Sequence, residues 1–142
     1  MHPTSDLTGH KIDSEAESRL KFLMKSSWKF KDQYDIDSRK RQFEDIISIH
    51  DNRVAVLVEP LRESSTLPMI DKRKYLVPVH ITVGQFQSII QKRLNLSPTT
   101  AIFIFVNDTI PSQSLTMNEL YQMYADEDGF LYIAYGEENV YG

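Results

Sequence analysis

Apolar residues first recur at helical spacing after a polar start of about 14 residues. The string Ser14-Glu15-Ala16-Glu17 is a capping box, in which a hydroxyl residue and a Glu three positions later satisfy free N–H groups at a helix start. One face of the following segment collects Ala16, Leu20, Leu23, Met24 and, one turn on, Trp28. The pattern predicts an amphipathic helix. A second helix is predicted from Ser38, with an inner face of Phe43, Ile46, Ile47 and His50.

Between residues 53 and 59 the apolar residues no longer follow helical spacing. They follow the two-residue period of a strand, and both faces of that strand are apolar. Such a run is typical of a strand that is buried inside a sheet. A second strand is predicted at residues 74–77, because the following Pro78 has no N–H and suits a strand end or a sheet edge. We expect these two strands to form a hairpin.

Two further capping boxes predict the helices of the second half. Thr82-Val83-Gly84-Gln85 opens a helix whose inward residues are expected to be Phe86, Ile89, Ile90 and Leu94. The string Thr116-Met117-Asn118-Glu119 opens a shorter helix that reaches Tyr124. High strand propensity predicts the third and fourth strands at residues 102–106 and 131–135.

This order, ββαβαβ, predicts an α+β fold with a four-stranded mixed sheet wrapped around one main helix. It is the plan of ubiquitin-like β-grasp domains, here preceded by two N-terminal helices and a longer N-terminal extension. We expect three parts: residues 1–27 as an extension that is partly disordered or an amphipathic helix, residues 28–135 as the ubiquitin-like domain with its N-terminal helices, and residues 136–142 as a flexible tail.

Composition narrows the classes of protein. A chain of 142 residues that is 41% hydrophobic suits one compact domain. No apolar run approaches the roughly 20 residues that span a bilayer, and the start lacks the apolar region of a signal peptide, so a soluble intracellular protein is expected. The absence of cysteine excludes disulfides, thiolate metal sites and a cysteine nucleophile.

Catalytic and metal chemistry is not expected. The four histidines, His2, His10, His50 and His80, have no metal-ligand spacing, and no Ser/His/Asp grouping or glycine-rich phosphate loop is present. The acidic string Asp126-Glu127-Asp128-Gly129 lacks the alternating ligands and distal Glu of a calcium-binding loop. It is predicted to be a polar turn, and we expect no enzyme activity, cofactor or metal.

Charge is unevenly distributed, with a net charge of +1 over residues 1–80 and −5 over residues 81–142. Basic residues concentrate between Arg19 and Arg41. Such a segment suits anionic lipid, an acidic peptide or nucleic acid, but a solvated helix face is the preferred interpretation. Nucleic-acid binding is disfavoured further, because the chain is acidic overall and has no recognisable reader motif.

The chain ends on Gly142, at the end of a polar tail. Glycine has no Cβ, so its carboxyl group fits a narrow enzyme cleft, where it can form an acyl-adenylate and a thioester and be attacked by an amine. The cysteine of such a thioester must belong to a partner protein. A terminal glycine is weak evidence without support from the rest of the chain.

That support comes from several long strings, which lie in one order between residues 28 and 142. They are Asp71-Lys72-Arg73-Lys74-Tyr75-Leu76-Val77-Pro78, Thr82-Val83-Gly84-Gln85-Phe86, Ile104-Phe105-Val106-Asn107, Met117-Asn118-Glu119-Leu120-Tyr121, Phe130-Leu131-Tyr132-Ile133-Ala134-Tyr135 and Val140-Tyr141-Gly142. In these strings the chain closely resembles the autophagy-related protein eight family of ubiquitin-like modifiers, which includes the GABA-receptor-associated protein and microtubule-associated light chain three groups.

The resemblance implies a modifier whose Gly142 is joined to the amino headgroup of phosphatidylethanolamine and which acts in autophagosome formation. It implies four kinds of partner: the activating and conjugating enzymes of the autophagy system, a deconjugating cysteine protease, membranes that contain phosphatidylethanolamine, and receptors or adaptors with an aromatic-x-x-aliphatic motif. Because no residue follows Gly142, the end is expected to be either encoded or already trimmed. The implied location is cytoplasmic, with autophagosome or other vesicle membranes after lipidation.

The resemblance also implies a peptide groove along the second strand, which binds by strand addition. Its aromatic pocket is lined by Ile46, Leu57, Lys74, Leu76 and Phe130. Its aliphatic pocket is lined by Tyr75, Val77, Pro78, Ile81, Phe86, Ile89 and Arg93. Arg53 and Lys72, with Lys74 and Arg93, are placed to meet acidic residues beside the motif. From spacing alone, Leu57, Phe86 and Ile89 are expected to be core residues.

Three residues depart from the family pattern: Ala55 and Asp35 stand where proline is common, and Gln42 stands where an acidic residue often contacts the peptide. An altered peptide preference is therefore expected. For the whole chain, the alternative is an unconjugated β-grasp interaction domain that uses the same groove. For the extension, packing on its own domain or partial disorder is preferred to a membrane contact or a lid over the groove.

Overall fold

A computed structural model describes residues 29–48, 52–62 and 67–137. The helix predicted before Lys29, together with Trp28, His50 and Gly142, lies outside these residues, so those predictions stay open. The elements in chain order are α1 (Phe30–Gln33), α2 (Ile36–Ile47), β1 (Arg53–Pro60), β2 (Lys74–Pro78), α3 (Val83–Arg93), β3 (Phe103–Phe105), α4 (Met117–Tyr124) and β4 (Leu131–Gly136). The predicted order ββαβαβ after N-terminal helices is confirmed.

The four strands form one mixed sheet in the order β2-β1-β4-β3. β1 pairs antiparallel with β2 and parallel with β4, and β4 pairs antiparallel with β3. The predicted hairpin of β1 and β2 is therefore confirmed. The predicted interior position of β1 is also confirmed, since its residues from Val54 to Val58 are all buried. β2 lies at one edge of this sheet.

The two faces of the sheet carry separate apolar clusters. The larger cluster packs α3 and α4 against one face and includes Val56, Phe86, Leu120 and Ile133. The smaller packs α1 and α2 against the other face, around Phe30, Ala55, Leu57 and Phe130. Alternating side chains of β1 and β4 enter opposite clusters, as the period of a strand requires.

The helix starts follow their capping residues. Thr82 and Thr116 each accept a hydrogen bond from the N–H three residues on, and the side chains of Gln85 and Glu119 complete both predicted capping boxes. α2 begins at Ile36, two residues before the predicted start, because the carboxylate of Asp35 accepts from the Ser38 N–H at 2.9 Å.

The predicted inner face of α3 is confirmed for Phe86, Ile90 and Leu94, which are buried. The expectation that Ile89 is a core residue is wrong, because its side chain is 44% exposed. Phe86, Ile90 and Leu94 are spaced four residues apart along one face, and Ile89 lies about 100° around the helix from Ile90. Ile89 is thus on the flank of α3.

The basic segment is a solvated surface at Lys31, Lys40 and Arg41, which are exposed, but that interpretation is wrong for Arg39. The Arg39 Nε donates to the Asp128 Oδ2 at 2.8 Å, and both side chains are buried. This pair joins α2 to the turn before β4. Among the described residues, no helix is long and apolar enough to cross a bilayer, and no acidic or histidine cluster is suited to a metal.

Candidate functional site

The open edge of β2 is the first feature of the site. The Val58 N–H donates to the Arg73 carbonyl at 2.8 Å, and the Val79 N–H donates to the Asn52 carbonyl at 3.3 Å. Residues of an antiparallel pair alternate between bonding the partner strand and facing away from it. The N–H and C=O groups of Lys74 and Leu76 therefore point out of the sheet, where an extended peptide can pair with them.

The aromatic pocket predicted from the sequence lies on the α2 side of this edge. Its residues belong to the smaller apolar cluster or contact it, and the structure brings them together. Ile46 and Leu76 are partly buried, while Leu57 and Phe130 are completely buried and would form the floor of a pocket. The remaining predicted residue is Lys74, whose Nζ lies 5.6 Å from the Phe30 ring centroid.

Lys74 spans the gap between β2 and α2. Its Nζ donates to the Gln42 Oε1 at 2.6 Å. Burial, followed by the neighbouring positive charge of Arg73, lowers the pKa of Lys74 below its ordinary value. An ammonium group in this setting is partly desolvated and is paired with a neutral amide. An acidic group on a bound peptide would be a stronger acceptor than that amide.

The predicted aliphatic pocket lies on the α3 side of the same edge. Tyr75, Val77 and Phe86 are buried there, and the Tyr75 and Phe86 rings meet edge to face at 5.9 Å between centroids. Pro78 and Ile81 are partly buried. Ile89, predicted to line the same pocket, is an exposed apolar group on the flank of α3.

The charged residues predicted around the groove contact β2 or the segment just before it. The guanidinium of Arg93 contacts the Asp71 carboxylate with nitrogen–oxygen distances of 2.9 and 3.4 Å. Lys72 Nζ lies 5.1 Å from the Tyr75 ring centroid. The Arg53 Nη1 donates to the Leu76 carbonyl at 3.1 Å, so this carbonyl on the open edge of β2 already accepts one hydrogen bond.

The residues of the two predicted pockets lie on opposite faces of the sheet, on either side of β2. Side chains at positions i and i+3 of an extended peptide also point to opposite faces, because the period of a strand is two. A peptide that pairs with β2 would therefore send the two apolar residues of an aromatic-x-x-aliphatic motif to opposite sides. The spacing of the motif fits the arrangement of the pockets.

One support of the groove was not predicted from the sequence. The Tyr135 hydroxyl accepts from the Ile70 N–H and donates to the Pro68 carbonyl, each at 2.9 Å, so β4 fixes the segment that leads into β2. The available signal was a tyrosine at an inward position of a strand, since a buried hydroxyl usually has a hydrogen-bond partner.

Comparison with known proteins places this geometry in a family. Residues 38–142 match the family model described as "Autophagy protein Atg8 ubiquitin like". The chain is 50% identical over 119 residues to Autophagy-related protein 8 of Candida glabrata, covering 84% of this chain and 98% of that one. The same protein of Saccharomyces cerevisiae is also 50% identical over 119 residues, with 84% and 99% covered.

Solved structures agree with the fold. Trypanosoma brucei ATG8 has a TM-score of 0.73 and 35% identity, covering 82% of this chain and 99% of that chain. Plasmodium falciparum Atg8, solved in complex with a Plasmodium falciparum Atg3 peptide, has a TM-score of 0.71 and 36% identity, covering 78% and 97%. With this fold, and with the family match over most of its length, the chain belongs to the Atg8 family of ubiquitin-like autophagy proteins, which are modifiers and not enzymes.

Proposed function

We propose that this protein is a lipid-conjugated modifier that holds receptor and adaptor peptides at autophagic membranes. Its Gly142 is joined to phosphatidylethanolamine, and its β2 edge binds aromatic-x-x-aliphatic motifs by strand addition. The observation that carries the peptide-binding part is the open edge of β2, where the backbones of Lys74 and Leu76 face outward between two apolar sites. Membership of the Atg8 family supports the conjugation.

The proposed conjugation proceeds in three chemical steps. The Gly142 carboxylate attacks ATP, forming an acyl-adenylate and releasing pyrophosphate. A partner's cysteine displaces AMP to give a thioester, and the thiolate then leaves when the amine of the lipid headgroup attacks and forms an amide. A deconjugating cysteine protease hydrolyses that amide. Each buried lipid CH₂ contributes about 0.8 kcal/mol, so two acyl chains anchor a protein durably.

The proposed partners follow from the same two sites. The tail suits activating and conjugating enzymes, and the relative from Plasmodium falciparum was solved with a peptide of Atg3. The groove suits receptors whose motif carries acidic residues, because Arg53, Lys72 and Lys74 are around it. The protein is then cytoplasmic before conjugation and on autophagosome or other vesicle membranes afterwards, and nucleic acid is not a proposed partner.

The groove is tested with a short synthetic peptide that carries acidic residues before a Trp-x-x-Leu core. By calorimetry, Leu76→Ala is expected to weaken binding about tenfold, because it removes an apolar wall next to the aromatic side chain. Lys74→Ala is expected to weaken it about two- to fivefold, the range for a partly exposed ion pair. Lys40→Ala, on the exposed side of α2, is the matched control and should bind as the parent does.

Amide hydrogen exchange adds a test of strand addition itself. The bound peptide is expected to slow exchange at the Lys74 and Leu76 N–H groups. The Tyr75 N–H is an internal control, since it belongs to a pair that already bonds β1. Unchanged affinity in both variants, or protection that is absent from Lys74 and Leu76, would rule out this groove.

A further inference from the structure

A second concave surface lies on the sheet face that carries α1 and α2, at the opposite end of the sheet from β2. It is a cleft of about 440 Å³ over β4 and the end of β3. The apolar groups of the cleft include Leu61, Tyr132 and Ala134. The charged residues that line it are Lys29, Lys31, Glu59 and Asp108. Its size is within the range of sites that hold a large side chain or a small ligand.

The start of the described chain is fixed at the wall of this cleft. The Phe30 N–H donates to the Glu59 Oε2 at 2.5 Å, and the Phe30 side chain is completely buried in the smaller cluster. One residue on, the Lys31 Nζ contacts the Asp126 Oδ1 at 2.5 Å. Because the two residues after it are held in this way, the backbone of Lys29 is fixed at the wall of the cleft.

Chain geometry limits how far the preceding residue can be from the cleft. Consecutive Cα atoms across a trans peptide are about 3.8 Å apart, so the Trp28 Cα lies within about 7 to 8 Å of the Phe30 Cα. Trp28 is the one tryptophan of the chain. An indole buries about 150 to 250 Å² of surface, and the cleft lined by Lys29, the residue after Trp28, offers apolar groups for it to cover.

The sequence before Trp28 suits the same surface. The apolar stripe of Ala16, Leu20, Leu23 and Met24 leads up to it at helical spacing. Lys25 is three residues before Trp28, and Lys21 is one turn earlier, so on a helix both would be near the face that carries the indole. Their positive charges complement the Asp108 carboxylate, whereas Glu59 already accepts from the Phe30 N–H, and Lys29 and Lys31 also line the cleft.

We propose that the cleft between Lys29, Tyr132 and Asp108 is the docking site of this chain's own residues 14–28, with the Trp28 indole inserted as the anchor. The occupant is thus a segment of the same molecule. The docked segment covers the β3–β4 half of the sheet and leaves the β2 edge open, so it excludes other ligands from the cleft without competing for the peptide groove. This docking does not depend on conjugation of Gly142.

Trp28 fluorescence tests the proposal in the full chain, because no other tryptophan contributes. The emission is expected to be blue-shifted, and acrylamide quenching about threefold weaker than in the urea-unfolded chain. Ala134→Arg fills the cleft and is expected to shift the emission to the red and to raise quenching about twofold. Ser88→Arg, at an exposed position of α3, is the matched control and should leave the emission unchanged. Solvent-exposed emission in the parent would overturn the proposal.

Amide chemical shifts give a second readout that alters no described residue. Between the full chain and its Trp28→Ala variant, shifts are expected to change at Phe105, Asp108 and Ala134. Changes centred on Lys74–Pro78 would instead show a lid over the peptide groove. Changes that depend on protein concentration would show a second copy as the occupant, and no change would show that the segment does not dock; each of these three results contradicts the proposal.

Discussion

Asp128, in the turn before β4, joins α2 to β4 through its two carboxylate oxygens. Its Oδ2 accepts from the Arg39 Nε at 2.8 Å and from the Tyr132 hydroxyl at 2.5 Å, while its Oδ1 accepts from the Phe130 N–H at 2.8 Å. Burial, followed by the hydrogen bond to Asp128, raises the pKa of Tyr132, so the hydroxyl keeps the proton that it donates. The result is a buried polar network that holds α2 against β4.

Removing this carboxylate should destabilise the protein strongly. In Asp128→Ala the Arg39 guanidinium stays buried without its carboxylate partner, although its Nη1 still donates to the Tyr34 carbonyl, and breaking such a buried pair costs about 3 to 5 kcal/mol. The free energy of unfolding is measured by urea denaturation monitored by circular dichroism. Glu127→Ala, at the exposed neighbouring position, should change it by less than about 0.5 kcal/mol. A similarly small change in Asp128→Ala would mean that the network does not hold α2.

This network also shows where prediction from the sequence stops at the residue scale. Arg39 lies among basic residues that were expected on a solvated face, and Asp128 lies in an expected polar turn. Nothing local distinguishes them from their exposed neighbours, because the partner of each is 89 residues away. The same reason hides the Tyr135 contacts at Pro68 and Ile70. Long-range polar pairs are set by the tertiary fold, which local pattern does not specify.

Helices and strands were more predictable, because their signals are local. The Thr82 and Thr116 capping boxes fix two helix starts, and the apolar alternation after Arg53 identifies an interior strand. The prediction that Ile89 is a core residue was wrong for a geometric reason, since two adjacent apolar residues of a helix cannot both face the centre of one core. The predicted pocket residues came from the resemblance, and the structure adds that they lie on both faces of the sheet beside β2.

The turn between α4 and β4 packs against α2 at Gly129. Its φ of +103° is a conformation that side chains rarely adopt, and a Cβ there would lie 2.5 Å from the Phe43 ring. The Phe43 ring also meets Phe130 edge to face at 5.7 Å. A glycine is therefore required by both the turn and the neighbouring helix.

Gly129→Ala should therefore cost about 2 kcal/mol or more of unfolding free energy, from backbone strain and from the clash with Phe43. A double-mutant cycle distinguishes the backbone strain from the clash with Phe43. In a Phe43→Ala background the clash disappears, so the same substitution should cost at least about 0.5 kcal/mol less. Equal costs in the two backgrounds, measured by urea denaturation, would show that the ring does not restrict this turn.

At the scale of the whole molecule, the two proposed binding surfaces lie toward opposite edges of one sheet. β2 is at one edge with the proposed peptide groove, and the cleft beside Lys29 lies over β4 and the end of β3 toward the other edge. The order of elements predicted the fold, because parallel β1 and β4 in one sheet need a crossover through helices. The tail after β4 carries the proposed attachment point, and the boundaries predicted at residues 27 and 135 stay predictions.

The most direct test of the proposed lipid conjugation measures whether the protein is converted to a lipidated form. The protein is incubated with ATP, phosphatidylethanolamine liposomes, and activating and conjugating enzymes from Saccharomyces cerevisiae, whose own Atg8 serves as the positive control. Conversion is read by mass spectrometry as the added lipid mass. Lys40→Ala, far in sequence from the tail, should react as the parent does.

We expect the intact chain to be converted and the chain that lacks Gly142 to remain unmodified, because its end is then Tyr141, whose side chain hinders entry of the carboxylate into the activating cleft, so no thioester forms for the amine to attack. Lipidation that persists without Gly142 would show that the proposed attachment site is wrong. An intact chain that never reacts while the yeast Atg8 does would contradict the lipid-conjugated modifier and favour an unconjugated peptide-binding domain.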